Sequence, residues 1–169
     1  MRLKRDEIGL DGVDREILEA LQANCRISMS KLGEKVGLSA PSVVERVRRL
    51  ENEGFIKGYH AMLDASRLGI DITAFIGVSV NTPVAIDGFE LQVSEVNDVL
   101  ECYHVTGEHS LLLKIRTRNT DSLEHLIRRL RSIPGVTRTQ TSVVLSTPVE
   151  RSRLSLERET PRTPRSRRS

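Results

Sequence analysis

The chain has 169 residues, 38% hydrophobic and 29% charged, the size and composition of one medium or two small soluble domains. Its longest charge-free stretch, Ile72 to Ile86, contains Asn81 and Pro83 and falls short of the roughly 20 apolar residues that cross a bilayer, so no membrane partner is expected. The net charge of +3 hides an uneven distribution: residues 1–60 carry 11 basic and 10 acidic groups, residues 61–147 carry 8 and 10, and residues 148–169 carry 7 and 3.

Only Phe55, Tyr59, Phe75, Phe89 and Tyr103 are aromatic, which argues against a binder of single-stranded nucleic acid, because such proteins stack bases on aromatic platforms. Met1-Arg2-Leu3-Lys4-Arg5-Asp6-Glu7 lacks the apolar core of a signal peptide. Cys25 and Cys102 are scattered thiols without a CxxC spacing, suited to a reducing compartment and expected to be structural. The expected location is cytoplasmic.

In chain order, Asp11 caps a first helix with Val13, Ile17, Leu18 and Leu21 on one face and Asp14 placed for a capping box. Ser28 caps a short second helix with Met29, Leu32 and Val36 inward, and Gly37 ends it. Ser39 caps a third, with Pro41 in its first turn and Val43, Val47 and Leu50 on one face, stopped by Gly54. A short helix, a tight turn and a longer helix form a helix-turn-helix within a helical domain over residues 1–54.

From Phe55 to Leu63 the pattern is an extended ribbon, followed by a connector to Asp71, so residues 55–71 are a linker. Residues 72–147 then predict strand 72–80, helix 84–96, strands 98–106 and 109–117, helix 121–132 and strand 136–146. Thr82 and Thr120 are the expected helix caps, and Pro134-Gly135 the final breaker. The order β-α-β-β-α-β is the split βαβ, ferredoxin-like pattern, and the whole chain is α+β. Both helices would cover one sheet face, leaving the other to be covered by self-association. Residues 148–169 hold three prolines, seven arginines and few apolar groups, the composition of a disordered basic tail.

A helix-turn-helix reads duplex DNA through the exposed face of its second helix. At about 100° per residue, Ser42, Glu45 and Arg49 lie opposite the apolar face, with Arg46 at the edge of that arc and Arg48 further round. Arginine can grip guanine edges or phosphates, and Ser39 and Ser42 stand where helix-terminal amides also meet phosphate. The competing reading is a solvated face in which Arg46, Arg48 and Arg49 pair with Glu45, Glu51 and Glu53.

These residues also resemble a known family. Leu10-Asp11-Gly12-Val13-Asp14-Arg15-Glu16-Ile17-Leu18, Gly37-Leu38-Ser39, and Arg46-Val47-Arg48-Arg49-Leu50-Glu51 with Gly54, Ile56 and Gly58-Tyr59 are similar to the leucine-responsive and asparagine-regulator (Lrp/AsnC) transcription factors. So are Cys102-Tyr103-His104-Val105-Thr106-Gly107 and Pro134-Gly135-Val136 with Thr139 and Thr141. The resemblance covers residues 10–147 and implies a winged-helix-like DNA-binding domain followed by a ferredoxin-like effector-binding domain. It further implies homodimers or higher oligomers with small effectors, often amino acids, bound between effector domains.

The effector residues it points to are Thr106, Gly107, Glu108, His109 and Ser110, joined by Thr139 and Thr141. Gly33 stands where alanine is usual in the family, and Ser110 where many members carry aspartate. A missing carboxylate at 110 would alter how an amino-acid ammonium is held; Glu108 is the nearest substitute.

Other chemistry is less well supported. Cys102, His104 and His109, with Glu101 and Glu108 nearby, suggest a metal, but no fourth ligand stands at a diagnostic spacing, and no metal or cofactor is expected. GxSxG, HExxH, Walker A and GxGxxG are all absent, so no enzyme is expected. Some tetrapyrrole decarboxylases share the two-domain architecture, with His104 or His109 then acting as an acid. An effector-independent architectural DNA-binding protein is the remaining alternative.

Overall fold

Reciprocal hydrogen bonds start the first helix, α1 (Gly12–Ala23): the Asp14 amide donates to the Asp11 carboxylate at 2.7 Å and the Asp11 amide to the Asp14 carboxylate at 3.1 Å. Ser28 caps α2 (Met29–Val36), which ends at Gly37 with φ +71°, a left-handed turn that glycine adopts without steric cost. Ser39 caps α3 (Ala40–Asn52), with Pro41 in its first turn. Ile17, Leu32, Val43 and Leu50 are fully buried where the three helices meet. Each such side chain contributes roughly 1.5–3 kcal/mol. The turn between α2 and α3 closes over Gly33, where an added Cβ would collide with the Leu38 carbonyl oxygen.

The computed structural model describes residues 9–156. They divide into two compact units, one of residues 9–61 with 151–156 and one of residues 62–150. The expected ribbon from Phe55 to Leu63 joins no β-ladder among the described residues. Ile56 donates its amide to the Leu50 carbonyl at 3.1 Å and packs on the helical core, and the Tyr59 hydroxyl donates to Glu51 at 2.9 Å. Further along the ribbon, Met62 and Leu63 are exposed.

The second unit runs β1 (Ile72–Val80), α4 (Pro83–Ser94), β2 (Val99–His104), β3 (Leu111–Thr117), α5 (Thr120–Arg131) and β4 (Val136–Val143). All three strand pairs are antiparallel, in the order β2-β3-β1-β4, which is the ferredoxin-like arrangement. Thr82 caps α4 as expected. The α5 cap is Asn119 rather than Thr120: its carboxamide oxygen accepts the Ser122 amide at 2.9 Å, and the Ser122 hydroxyl accepts the Asn119 amide at 3.2 Å. Both residue types cap well, and Ser122 completes the box only for Asn119.

Gly135, at φ +89°, turns the chain into β4 under α4, where a Cβ would strike Ala85. Ala74, Ile76 and Val78 of β1 and Leu111, Leu113 and Ile115 of β3 meet Phe89, Leu126 and Leu130 of the helices in one core. The opposite sheet face presents Phe75, Leu112, Tyr103 and Lys114, and no helix of this unit lies on it.

Candidate nucleic-acid interface and effector site

One flank of α3 is tied to α1 by ion pairs. Asp14, on α1, has no exposed side-chain surface, yet it receives Arg46 Nη1 at 2.8 Å and Arg49 Nη2 at 2.5 Å. Arg46 also reaches Asp11 at 2.6 Å. Burial by itself would raise the Asp14 carboxyl, but hydrogen bonds from Arg49, the Asp11 amide and Arg46 outweigh it and hold the group below its ordinary value. Arg46 and Arg49 therefore bind α3 to α1. Both stay partly exposed, and among the described residues they make no ion pair with Glu45, Glu51 or Glu53.

A signal for this cluster was present in the sequence. Asp14 shares a helix face with Ile17, Leu18 and Leu21, and an acid on an apolar stripe requires a cationic partner.

The outward side of α3 is a shallow hollow lined by Pro41, Val44, Glu45, Arg48, Asn52 and, at its edge, Arg49. Arg48 is exposed and makes no hydrogen bond or ion pair among the described residues. Ser39 accepts the Ser42 amide at 3.4 Å, and the two hydroxyls lie 2.9 Å apart at the start of the helix. Pro41, Val44 and Asn52 were absent from the sequence-based set, since helical geometry alone does not say which flank α1 covers. Val44 gives this side an apolar surface.

In the second unit, the loop from Thr106 to Ser110 joins β2 to β3, with Gly107 at φ +115° and the Val105 amide donating to the Ser110 carbonyl at 3.2 Å. The His109 ring lies over Gly77, where any Cβ would collide with it, and its Nδ1 stands 3.4 Å from the Ser79 hydroxyl. Arg138 donates to Glu108 at 2.5 Å, so the nearest substitute for the missing carboxylate is already engaged. The Val80 amide donates to the Ser110 hydroxyl at 3.3 Å.

Thr139 and Thr141 do not join this group. They pair with Val78 and Ile76 and so share the helix-covered face, where the Thr139 hydroxyl accepts Arg131 Nε at 2.9 Å. The sheet thus divides the expected effector set. It divides the metal-type residues as well: Cys102 and His104 pair with Leu113 and Leu111 on the helix side, and His104 meets Glu90 of α4, while His109 lies on the other face. Both cysteines, expected to be structural, are free and exposed; partial burial, then the charge of Glu90, push the Cys102 thiol up. No helix among the described residues is long and apolar enough to cross a membrane.

Comparison with known proteins agrees with this two-unit geometry. Residues 10–51 match the AsnC-type helix-turn-helix domain and residues 73–154 the Lrp/AsnC ligand binding domain. The chain is 36% identical over 157 residues to the leucine-responsive regulatory proteins of Salmonella typhimurium and Escherichia coli, covering 91% of this chain and 96% of theirs.

Among solved structures, a transcriptional regulator from Neisseria meningitidis in complex with L-methionine matches with a TM-score of 0.83 at 32% identity, covering 87% of this chain and 97% of that one. A feast or famine regulatory protein from M. tuberculosis, also complexed with L-methionine, matches at 0.80 and 32%, covering 86% and 98%. The E. coli AsnC structure matches at 0.80 and 30%, covering 85% and 97%. These relatives are regulators, so the decarboxylase alternative falls away. With both family domains matched in order and relatives spanning nearly its whole length, the chain belongs to the Lrp/AsnC family of transcription regulators.

Proposed function

We propose that this chain is a cytoplasmic, sequence-specific DNA-binding regulator that acts as a symmetric homodimer or a larger assembly and senses an amino acid through its second unit. The observation that carries the DNA reading is the outward face of α3, which presents Arg48, Val44 and Glu45, with Arg49 at its edge, while ion pairs from Arg46 and Arg49 to Asp14 fix the helix on α1. The open sheet face with Phe75, Leu112 and Tyr103 is the surface a second copy would cover. Two-fold symmetry then sets two half-sites one or a few turns of about 10 bp apart. Footprinting on genomic fragments is expected to protect a pseudo-palindrome. Protection of a single asymmetric half-site by one chain overturns the dimer reading.

The effector reading rests on the Thr106–Ser110 loop and on the relatives crystallised with L-methionine. Gly107 allows close approach of a ligand to the backbone, and the loop stands on a rigid sheet. Thr139 and Thr141 would contribute only from the other side of the sheet, so a ligand held by Thr106–Ser110 needs its further contacts from a second copy.

With Glu108 engaged by Arg138, no free carboxylate stands ready in the loop for an ammonium group. Ser110→Asp restores one while still offering an oxygen to the Val80 amide. A charged hydrogen bond is worth about 1.5–3 kcal/mol, so amino-acid binding is expected to tighten severalfold or more. Calorimetry of both proteins across the twenty amino acids checks this; no heat from either protein removes amino acids as the effector.

A further inference from the structure

Of the basic tail expected over residues 148–169, residues 157–169 lie outside the described residues. Residues 151–156 follow the sheet unit in sequence but group with the helical unit. There the Gln22 carboxamide of α1 holds the Leu154 backbone on both sides: Nε2 donates to the carbonyl at 3.1 Å and Oε1 accepts the amide at 2.7 Å. Two turns earlier on α1, Arg15 Nη1 donates to the Leu156 carbonyl at 3.4 Å. The grip is on main chain, and the Leu154 side chain stays 73% exposed.

The stretch before this segment is fixed within the sheet unit. The Val144 amide donates to the Thr73 carbonyl at 2.9 Å, and Arg116 Nη2 of β3 meets the Glu150 carboxylate at 3.4 Å. Only Arg151, Ser152 and Arg153 separate the residue tied to β3 from the residue tied to α1. The sheet unit is thus joined to the helical unit at both of its ends, once through the linker and once through this short segment.

The second join is weakly held. Among the described residues, the buried side-chain polar atoms without a hydrogen-bond partner are Arg15 Nε and Arg116 Nε, and each belongs to an arginine that holds one end of the segment. A buried donor without an acceptor costs free energy that water returns on opening. Both arginine contacts are long, at 3.4 Å, beside the 2.7 Å of the Gln22 bond. Val149 and Leu154 bury little apolar surface to offset this.

We propose that residues 151–156 are a releasable strap between the ligand-binding and helix-turn-helix units. Closed on Gln22 and Arg15, it restrains the helix-turn-helix at a second point; open, it leaves that unit on the linker alone. A regulator's ligand acts by shifting the balance between two states of similar free energy. The strap supplies such a pair on the covalent path from the sheet to α1, whose Asp14 carries Arg46 and Arg49 of α3. It is a property of the chain alone, whatever effector or DNA sequence the chain recognises.

Hydrogen exchange at the Leu154 amide reads the closed state, because that amide is the one Gln22 accepts. In the full chain, without DNA or effector, it is expected to be protected, but less than the amide of Ile17 in the buried middle of α1. In Gln22→Ala it should exchange about tenfold faster or more, with Ile17 unchanged because alanine is a strong helix former. Nitrogen-15 relaxation on the same samples reads the restraint: the difference in rotational correlation time between α1–α3 and β1–β4 should widen in Gln22→Ala.

A Leu154 amide that exchanges at the unstructured rate in the full chain overturns the closed strap. Protection at Leu154 equal to that at Ile17 overturns its release. Faster exchange at Leu154 in Gln22→Ala, with the tumbling of both units unchanged, overturns the restraint.

Discussion

Replacing Asp14 with alanine is expected to destabilise the helical unit by about 3 kcal/mol. Its carboxylate has no exposed surface and accepts hydrogen bonds from Arg46, Arg49 and the Asp11 amide. Removing it leaves two guanidinium groups facing each other with their counter-charge reduced to Asp11, and it breaks the capping box of α1. Removing one partner of a buried ion pair typically costs about 3–5 kcal/mol. The lower end applies here, because Arg46 and Arg49 are 31% and 41% exposed and can turn partly to water.

The pH dependence has a definite sign. The Asp14 carboxyl is held below its ordinary value in the folded chain, so its contribution is fully present above that ordinary value of 3.8 and is lost as pH falls through the folded one. Acid should therefore loosen the helical unit below about pH 4. Asp14→Asn, which keeps a capping oxygen but no charge, should lose that part of the acid sensitivity. Because the chain has two units, amide exchange along α1 to α3 is the measurement that isolates this one. Equal acid loosening in the Asn variant would show that the cluster is not responsible.

What was legible from the sequence lay within three or four residues of the group concerned. The caps at Asp11, Ser28, Ser39 and Thr82 were legible because a capping oxygen bonds an amide three residues on. Alternation sorted Ala74, Ile76 and Val78 onto one face for the same local reason. Contacts between distant segments were not legible in this way. Arg46 and Arg49 meet Asp14 across 32 and 35 residues, and a helical wheel of α3 cannot show which flank α1 will cover.

Register hid how the sheet divides the expected effector residues. Alternation places Thr139 and Thr141 together but does not connect them to the face that His109 uses. That follows only once β4 is paired with β1, so that Thr139 stands opposite Val78 and Thr141 opposite Ile76. The hydrogen bonds between the Gln22 carboxamide of α1 and the Leu154 backbone, at 3.1 and 2.7 Å, were hidden for a related reason: no side-chain pattern in a Pro- and Arg-rich segment signals them.

Arg48→Ala is expected to cost about 1–3 kcal/mol in affinity for the operator, roughly five-fold to more than a hundred-fold, and to leave the fold unchanged. Arg48 projects from the outward side of α3 beside Val44 and Glu45, and its side chain makes no hydrogen bond or ion pair among the described residues that alanine would remove. Exposed substitutions of this kind usually change stability by no more than about 0.5 kcal/mol. Arg46→Ala should do the opposite, lowering stability by opening the Asp14 cluster and weakening DNA binding only as the unit loosens.

How Arg48 meets DNA can be read from the same variants. A bidentate grip on guanine through both guanidinium nitrogens would disappear in Arg48→Lys as well as in Arg48→Ala, and the protein would become less selective at one base pair. A phosphate interaction would survive the lysine replacement, and Arg48→Ala would then weaken all sequences alike. Binding curves on the footprinted site and on single-base variants of it distinguish the two. Unchanged affinity in Arg48→Ala, with α3 intact by amide exchange, would remove this face of the helix from the DNA interface.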